Sequence, residues 1–564
     1  MPDGARQHGF NFPARKIVSA LRPGEIVIDF FAGGGGASEA LRQALGRDPD
    51  IAVNHDPIAI GMHAMNHPFT RHMEADVWEV DILSEVAGRP TGWFHASPDC
   101  THFSQARGGQ PRSRATRSLS WVVIKVAGKL AKVGLAPRII SLENVKQILQ
   151  WCPLVAKRDK ATGRVVTLDV IVDPISGRKV NRIADRGERV PLERQFLVPD
   201  KRRLGETWRK FVASLRALGY VVEWRKLRAD RYGAGTDRER LYVVCRRDGK
   251  PIVWPAPTHG DKVGANPTSG AIDHIDWSIL GRSVFNRQWP LRPKTISRLL
   301  DGAYRAHWPQ VYLDALTALQ EGRAPRLQIS EEQAEEIAQQ LGHRSGIVMA
   351  IGSAGVARDV RRSVPTITAG GNGAAPHFLR PVIVHKHNSD GGRGARPVDE
   401  PLPTILTAGA GYLAEPIIAP YYGSGSGKSA QPCSKSLPTA TTKARFGLAE
   451  PIIVSTCNSS SRGVRLASDS LRTITTARGG DMAIAEPVIT GYYIDVLYRM
   501  LVERELFNAQ GFRRDYIIDR TANGKRISRA AAVRMCGNSV SPPPLVAIAR
   551  ENREAMELPE ALAA

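Results

Sequence analysis

The stretch Glu25-Ile26-Val27-Ile28-Asp29-Phe30-Phe31-Ala32-Gly33-Gly34-Gly35-Gly36-Ala37-Ser38-Glu39-Ala40-Leu41 decides the fold. Its first half is a short, continuous apolar run, the signature of a strand buried on both faces of a parallel sheet. Its second half turns to helical spacing. Between them, four glycines let the backbone approach a ligand closely, and the first turn of the following helix offers free N–H groups to the same space. Doubly wound sheets bind cofactors at the carboxyl ends of their strands. Taken alone, such a turn suits NAD, FAD or S-adenosylmethionine. Four consecutive glycines do not give the GxGxxG spacing of a dinucleotide site with its acidic partner, which shifts the reading toward S-adenosylmethionine.

The same alternation extends outward to about residue 245. Strands are expected at 25–30, 51–53, 92–95, 138–142, 221–224 and 241–245, and helices at 37–45, 57–66, 121–133 and 206–218. This predicts an α/β protein with a doubly wound, mainly parallel sheet. A catalytic and cofactor-binding domain is placed at 1–255, with an inserted hairpin region at about 151–205. From 256 to 490 the character changes, and a short motif recurs. Ser-Val-Pro-Thr-Ile-Thr at 363–368 returns as Pro-Leu-Pro-Thr-Ile-Leu at 401–406, Ser-Leu-Pro-Thr-Ala-Thr at 436–441 and Ser-Leu-Arg-Thr-Ile-Thr at 470–475. Spacings of 38, 35 and 34 residues mark one β-rich supersecondary unit used four times. Such a unit either packs for stability or presents its Gly-rich, basic loops to a nucleic acid. The closing segment, 491–564, has helical spacing over 496–510 and is expected to pack back on the first domain.

Chemistry-bearing residues gather at the predicted strand ends. Asn54 and His55, with Asp56, follow the second strand, where a ribose or an ammonium group would lie. Asp76 and Val77 follow the third strand region. Ser97-Pro98-Asp99-Cys100-Thr101-His102-Phe103-Ser104 follows the strand at 92–95, and its polar flanks argue against an inert buried cysteine. Glu143-Asn144 follows the strand at 138–142. Arg238 and Arg240 alternate just before the strand at 241–245; arginine offers rigid donors suited to a base carbonyl or a phosphate.

The balance of 78 Lys and Arg against 55 Asp and Glu leaves +23. An excess of that size points to a polyanionic partner, because each neutralised phosphate releases counterions. Six cysteines without a CxxC pair or zinc spacing disfavour a disulfide framework or structural zinc. No run of about 18 apolar residues occurs. The expectation is a soluble, cytoplasmic chain without a metal or a membrane partner and with no obligatory protein partner.

In order, these motifs resemble the DNA cytosine-5 methyltransferase family, particularly its phage and prophage members. DFFAGGGGASEAL, SPDCTHFS, LENV and YGAGTDRER resemble its cofactor, nucleophile, glutamate and paired-arginine motifs. LYRMLVERELFNAQGF and GNSV at 537–540 resemble its two closing motifs. The resemblance implies transfer of a methyl group from S-adenosylmethionine to carbon 5 of a cytosine flipped out of double-stranded DNA. It implies Cys100 as nucleophile, Glu143 on N3, Arg240 on the base carbonyl and Arg238 bracing the pocket. It assigns the cofactor to Asp29, Phe30, Ala32, Gly33, Gly34, Gly36, Asn54, His55, Asp76, Val77, Pro98, Asn538 and Ser539. DNA contacts fall to Ser104, Thr475 and Thr476, the last two in the family's target-recognition region. The chain departs from the family at Asp99, where Pro is usual, at Thr101 and Thr236, where Gln is usual, and at Asn54, where an acid is usual. Three other readings remain open: an RNA cytosine-5 methyltransferase, a non-catalytic DNA-binding relative, and a Rossmann oxidoreductase.

Overall fold

The computed structural model describes residues 20–99, 113–174, 176–279, 281–341 and 492–554, together with 363–364 and separate strand segments between 347 and 485. The first half alternates as its apolar runs dictate: β1 (Ile26–Phe30), α1 (Gly36–Leu45), β2 (Ile51–Asn54), α2 (Pro57–Asn66), β3 (Arg71–Glu74), α3 (Ile82–Val86), β4 (Thr91–Ala96), α4 (Arg114–Ser118), α5 (Trp121–Lys132) and β5 (Ile139–Asn144). An insert then supplies β6 (Leu154–Ala156), β7 (Val166–Val172), β8 (Lys179–Ile183) and β9 (Leu197–Pro199). After it come α6 (Glu206–Ala217), β10 (Val221–Arg228) and β11 (Glu239–Arg246).

Seven of these strands form one sheet in the order β10-β11-β5-β4-β1-β2-β3. β1 to β5 are mutually parallel, while β11 runs antiparallel to both β5 and β10. One core lies between the sheet and α5 and α6, around Phe30, Phe94, Val122, Leu130, Phe211 and Leu215. On the other face, the Ala37-Ala40-Leu41-Ala44-Leu45 stripe of α1 packs against Leu545, Ile548 and Ala549 of the last helix, α12 (Pro542–Asn552). Burying each large aliphatic side chain of this kind contributes about 1.5–3 kcal/mol. Asp56 starts α2 by accepting hydrogen bonds from the backbone N–H groups of Ile58 (2.9 Å) and Ala59 (3.4 Å), with Pro57 in the first turn.

A second, all-antiparallel sheet joins β12 (Arg282–Ser283), β13 (Gln328–Ile329), β14 (Ile347–Met349), β15 (Ala357–Asp359), β16 (His377–His385), β17 (Ala395–Pro397) and β24 (Tyr492–Met500). Helices α7 (Pro293–Arg305), α8 (Gln310–Gln320) and α9 (Glu331–Leu341) belong to this half, and their apolar faces pack with Ile494 and Val496 of β24. The strands β18 (Ile417–Pro420), β19 (Gln431–Pro432), β20 (Phe446–Ala449), β21 (Ile452–Ser455), β22 (Val464–Leu466) and β23 (Met482–Ala485) form two further three-stranded sheets.

The strand pairing follows the sequence repeat. In each copy a first strand pairs antiparallel with a second: β14 with β15, the second half of β16 with β17, β18 with β19, and β21 with β22. In three copies the first strand also pairs with a third, which is the start of β16, β20 or β23. The second strands end at Asp359, Pro397, Pro432 and Leu466, and the motifs begin four residues later in every copy, at Ser363, Pro401, Ser436 and Ser470. Of the motif residues, only Ser363 and Val364 are described. Val364 is buried and bridges to the first half: its N–H donates to the carbonyl of Gly235 (2.6 Å), and its carbonyl accepts from the N–H of Asp237 (3.2 Å).

Two expectations need correction. The helical spacing over 496–510 is a strand up to Met500, and only α10 (Glu503–Gln510) is helical. Tyr492–Met500 is rich in aromatic and β-branched residues and pairs with β16 along its whole length, so tertiary pairing decides its state. The strand β3, Arg71-His72-Met73-Glu74, lies at the sheet edge and is exposed or half-buried throughout; it lacks the apolar signal by which the others were read.

Candidate active site

The carboxyl ends of β1, β2, β3, β4 and β5 share one edge of the main sheet. Because β11 runs the other way, its beginning, not its end, lies there: Leu241 stands opposite Asn144 and Tyr242 opposite Glu143. This reversal brings Arg238 and Arg240 to Glu143. Arg240 Nε lies 3.1 Å and Arg238 Nη2 3.7 Å from the Glu143 carboxylate. Arg238 is buried and donates through Nη1 to the carbonyl of Gly537 (2.9 Å), near the end of helix α11 (Arg529–Asn538). Arg240 is more open and donates to the carbonyl of Glu239. The contact between Arg240 and Glu143 is off the hydrogen-bond direction, so Glu143 Oε1 and Arg240 Nε each keep unused capacity among the described residues. In a buried setting such atoms carry a cost until a partner arrives.

Asn144 has a part that sequence reasoning missed. Its Nδ2 donates to the carbonyl of Pro98 (3.0 Å), and its Oδ1 accepts from the N–H of Val145 (2.9 Å). It therefore pins the start of the loop that carries Cys100. The only available signal was its adjacency to Glu143. Cys100 and Ser104, and also Thr475 and Thr476, lie outside the described residues.

The glycine loop serves two masters. Gly33 (φ +53°) and Gly35 (φ +90°) occupy left-handed backbone that disfavours a side chain. A Cβ on Gly35 would lie 2.0 Å from the Tyr516 hydroxyl, and one on Gly36 would lie 2.0 Å from the carbonyl oxygen of Val540. A Cβ on Gly34 would come within 2.9 Å of Ser539 Oγ. These three glycines let the C-terminal segment press onto the loop, where Tyr516 donates to the Gly34 carbonyl (2.8 Å). A Cβ on Gly33 would meet only the loop's own Phe31 carbonyl, at 3.6 Å. Ala32 is buried beside it.

Behind the loop runs a buried polar chain. The hydroxyl of Ser38 donates to Asp29 Oδ2 (2.6 Å), His63 Nε2 meets Ser38 Oγ (2.8 Å), and His63 Nδ1 meets His72 Nε2 (2.8 Å). With the Ser38 proton committed to Asp29, His63 carries its proton on Nε2, a tautomer assigned from the network. Burial pushes the Asp29 carboxyl up to about 7, against the Ser38 hydrogen bonds. Burial, with His67 and His72 nearby, holds His63 well below its usual range. Asp29 Oδ1 and Ser539 Oγ are buried without a hydrogen-bond partner among the described residues. Two unused polar atoms, a glycine with open space and the first turn of α1 together form a donor and acceptor set that fits a small polar cofactor such as S-adenosylmethionine.

The remaining predicted cofactor residues divide. Phe30 is a core residue, stacked edge-on against Phe94 at 5.3 Å, and at most its backbone faces the site. Asn54 accepts from the N–H of Asp56 (2.9 Å) at the end of β2, and His55 is exposed. Asp76 is exposed and accepts from the N–H of Trp78 (2.9 Å), while Val77 is buried. Pro98 is buried, and Asn538 is exposed next to buried Ser539.

Residues 26–152 and 195–302 match the family model described as C-5 cytosine-specific DNA methylase. The type II methyltransferase M.AquIA of Picosynechococcus sp. is 24% identical over 242 residues, covering 42% of this chain and 77% of that protein. M.XorII of Xanthomonas oryzae pv. oryzae, also a type II methyltransferase, is 26% identical over 267 residues, covering 45% of this chain and 49% of that protein. Among solved structures, a DNA modification methyltransferase encoded within an E. coli prophage aligns at a TM-score of 0.40 and 14% identity, covering 93% of this chain and 97% of that one. No helix among the described residues is long and apolar enough to cross a membrane.

Proposed function

We propose that this chain, whose residues 26–152 and 195–302 match the model for C-5 cytosine-specific DNA methylases, methylates carbon 5 of cytosine in double-stranded DNA, with S-adenosylmethionine as donor and Cys100 as covalent nucleophile. The convergence of Glu143, Arg238 and Arg240 at the catalytic edge, with Glu143 Oε1 and Arg240 Nε unused, is the observation that carries the reading.

Carbon 5 of cytosine is too weak a nucleophile to take a methyl group unaided. Addition of the Cys100 thiolate to carbon 6 pushes electrons onto carbon 5. Glu143 binds N3 and offsets the charge that builds there, Arg240 holds the base carbonyl, and Arg238 fixes this arrangement against the tail at Gly537. S-adenosylmethionine, when bound, supplies an electrophilic methyl group, and Asp29, Gly33, Gly34, the first turn of α1 and Ser539 are the residues that would hold it. Loss of the carbon 5 proton and expulsion of Cys100 then restore the ring. The target base leaves the stack to reach the site, at a cost of a few kcal/mol that binding to the rest of the DNA must offset. The four repeats are the proposed target-reading region. Removing one copy is expected to change which sites are methylated; an unchanged site profile overturns that role.

The deciding experiment incubates the chain with tritiated S-adenosylmethionine and duplex DNA containing 5-fluorocytosine, with single-stranded DNA and tRNA in parallel. Fluorine at carbon 5 blocks the last elimination, so the expected result is a denaturation-resistant complex with the duplex that disappears in Cys100→Ala. A trap on tRNA alone moves the substrate to RNA. DNA binding without any trap makes the chain a non-catalytic binder.

A further inference from the structure

The two stretches matched by the family model leave out residues 153–194. In this interval β7 and β8 form a two-stranded antiparallel ribbon. Its root is held well: Val166, Ala184 and Phe196 are buried, the N–H of Phe196 donates to the Val166 carbonyl (2.9 Å), and Asp169 pairs with Arg194 (2.9 Å) and Arg182 (3.6 Å). Beyond Asp169 the ribbon is bare. Val170 is 62% and Val172 60% exposed, and Leu168, Ile171 and Val180 are exposed as well. Val170 stands opposite Asn181, Ile171 opposite Val180, and Val172 opposite Lys179. Side chains alternate along a strand, so aliphatic groups lie on both faces. An isolated two-stranded ribbon is marginal in water, and clustered exposed aliphatic side chains mark a contact surface.

The charge around the ribbon says what it contacts. From Trp151 to Gly205 there are thirteen Lys and Arg against seven Asp and Glu, a net +6. Lys160, Arg178, Lys179, Arg186 and Arg189 are exposed and form no ion pair among the described residues. A protein-binding patch has no need of so many unpaired cations; a polyphosphate backbone does. The seven residues of β7 span about 23 Å, and a two-stranded ribbon fits a major groove about 12 Å wide. The insert also leaves the domain just after Glu143 and Asn144, from the catalytic edge itself.

We propose that the β7–β8 ribbon is a second DNA-binding arm, which grips duplex DNA flanking the target base through its unpaired cations and sets Val170 and Val172 against the groove. This rests on the reading that the chain's substrate is duplex DNA. The test uses the full chain carrying Lys160→Gln, Arg178→Gln, Lys179→Gln, Arg186→Gln and Arg189→Gln together, all exposed positions. Binding is measured across salt concentrations on duplexes of about 12 and about 40 base pairs built around one trapped site. The long duplex is expected to bind roughly tenfold or more weakly, with a log–log salt slope shallower by about three; binding and methyl transfer on the short duplex are expected to stay at the parent level. Unchanged affinity and slope on the long duplex overturn the proposal. A second variant, Val170→Ser with Val172→Ser, is expected to weaken the long duplex severalfold at unchanged salt slope. If it instead dissolves a dimer seen by sedimentation and leaves DNA binding intact, the ribbon joins copies of the chain and the proposal falls. Failure of the parent to transfer methyl groups on either duplex would count against the functional reading rather than the arm, since binding is read separately.

Discussion

The main sheet holds a buried carboxylate against arginine at each of its two ends, one guanidinium at Glu25 and two at Glu143, and the two arrangements differ in what they leave over. At the end away from the site, Glu25 and Arg138 meet through two hydrogen bonds of 2.7 Å each, with Asp248 and Glu554 completing the guanidinium's neighbours at 3.5 and 3.2 Å. Every geometric option there is spent, and Gly92 is glycine where a Cβ would lie 2.5 Å from Glu25 Oε2. At the candidate site, Glu143 is approached by two arginines at 3.1 and 3.7 Å, and neither contact satisfies its Oε1. The first end is a staple of the kind whose loss leaves a buried charge stranded. The second is kept incomplete, as a site must be if a ligand is to complete it.

The sharpest way to break this comparison is to neutralise each carboxylate in turn. Glu143→Gln is expected to lower methyl transfer by about 10²–10⁴-fold, the span usual for removing an acid–base group, while changing stability less than the corresponding change at the other end. A urea midpoint that falls further than for Glu25→Gln would make Glu143 a structural residue. Glu25→Gln is expected to cost about 2–4 kcal/mol, since Arg138 stays buried and keeps only its more distant partners, with methyl transfer per folded molecule near the parent level. Full activity loss at a temperature where this variant remains folded would erase the distinction between the ends.

The smallest effect lies between the two ends. Asp29 and His95 stand opposite one another on β1 and β4, both fully buried. Burial pushes Asp29 up from 3.8 to about 7 and His95 down from 6.5 to about 3. In the folded state Asp29 is therefore neutral below about pH 7 and His95 neutral above about pH 3. The Asp29 contribution is lost as pH rises from about 4 through about 7, and the His95 contribution is lost as pH falls from 6.5 toward about 3. The two windows overlap with opposite slopes, so the parent thermal-midpoint profile is expected to stay nearly flat between about pH 4 and 6.5. Asp29→Asn should leave a profile that rises with pH across that range, and His95→Gln one that falls. Profiles parallel to the parent's would show that these groups titrate freely.

Much of this was legible in the residues, for a physical reason. Strands buried on both faces must be apolar throughout, so β1, β2, β4, β5 and β11 stood out, while the edge strand β10 showed only through its first residues, 221–224; the helices α1, α2, α5 and α6 announced themselves by period. The polar edge strand β3 offered no such signal. The aromatic run of β24 was set by its partner β16 rather than by its own spacing. Glu143, Arg238 and Arg240 could be suspected from their places beside strands. That they meet depends on β11 running backwards, which periodicity does not encode. The glycine loop was legible as a ligand site but not as the seat of Tyr516, Ser539 and Val540, because those partners lie some 480 to 500 residues away in the chain.

The bridge between Val364 and the Gly235–Asp237 turn has a mechanical consequence. The turn that ends in Arg238 is tied on one side to the tail at Gly537 and on the other to the first of four repeats. If the repeats read the target as proposed, a movement of them on a base sequence would tug directly on the backbone that aims both arginines, and an ill-fitting sequence would leave those arginines misaimed.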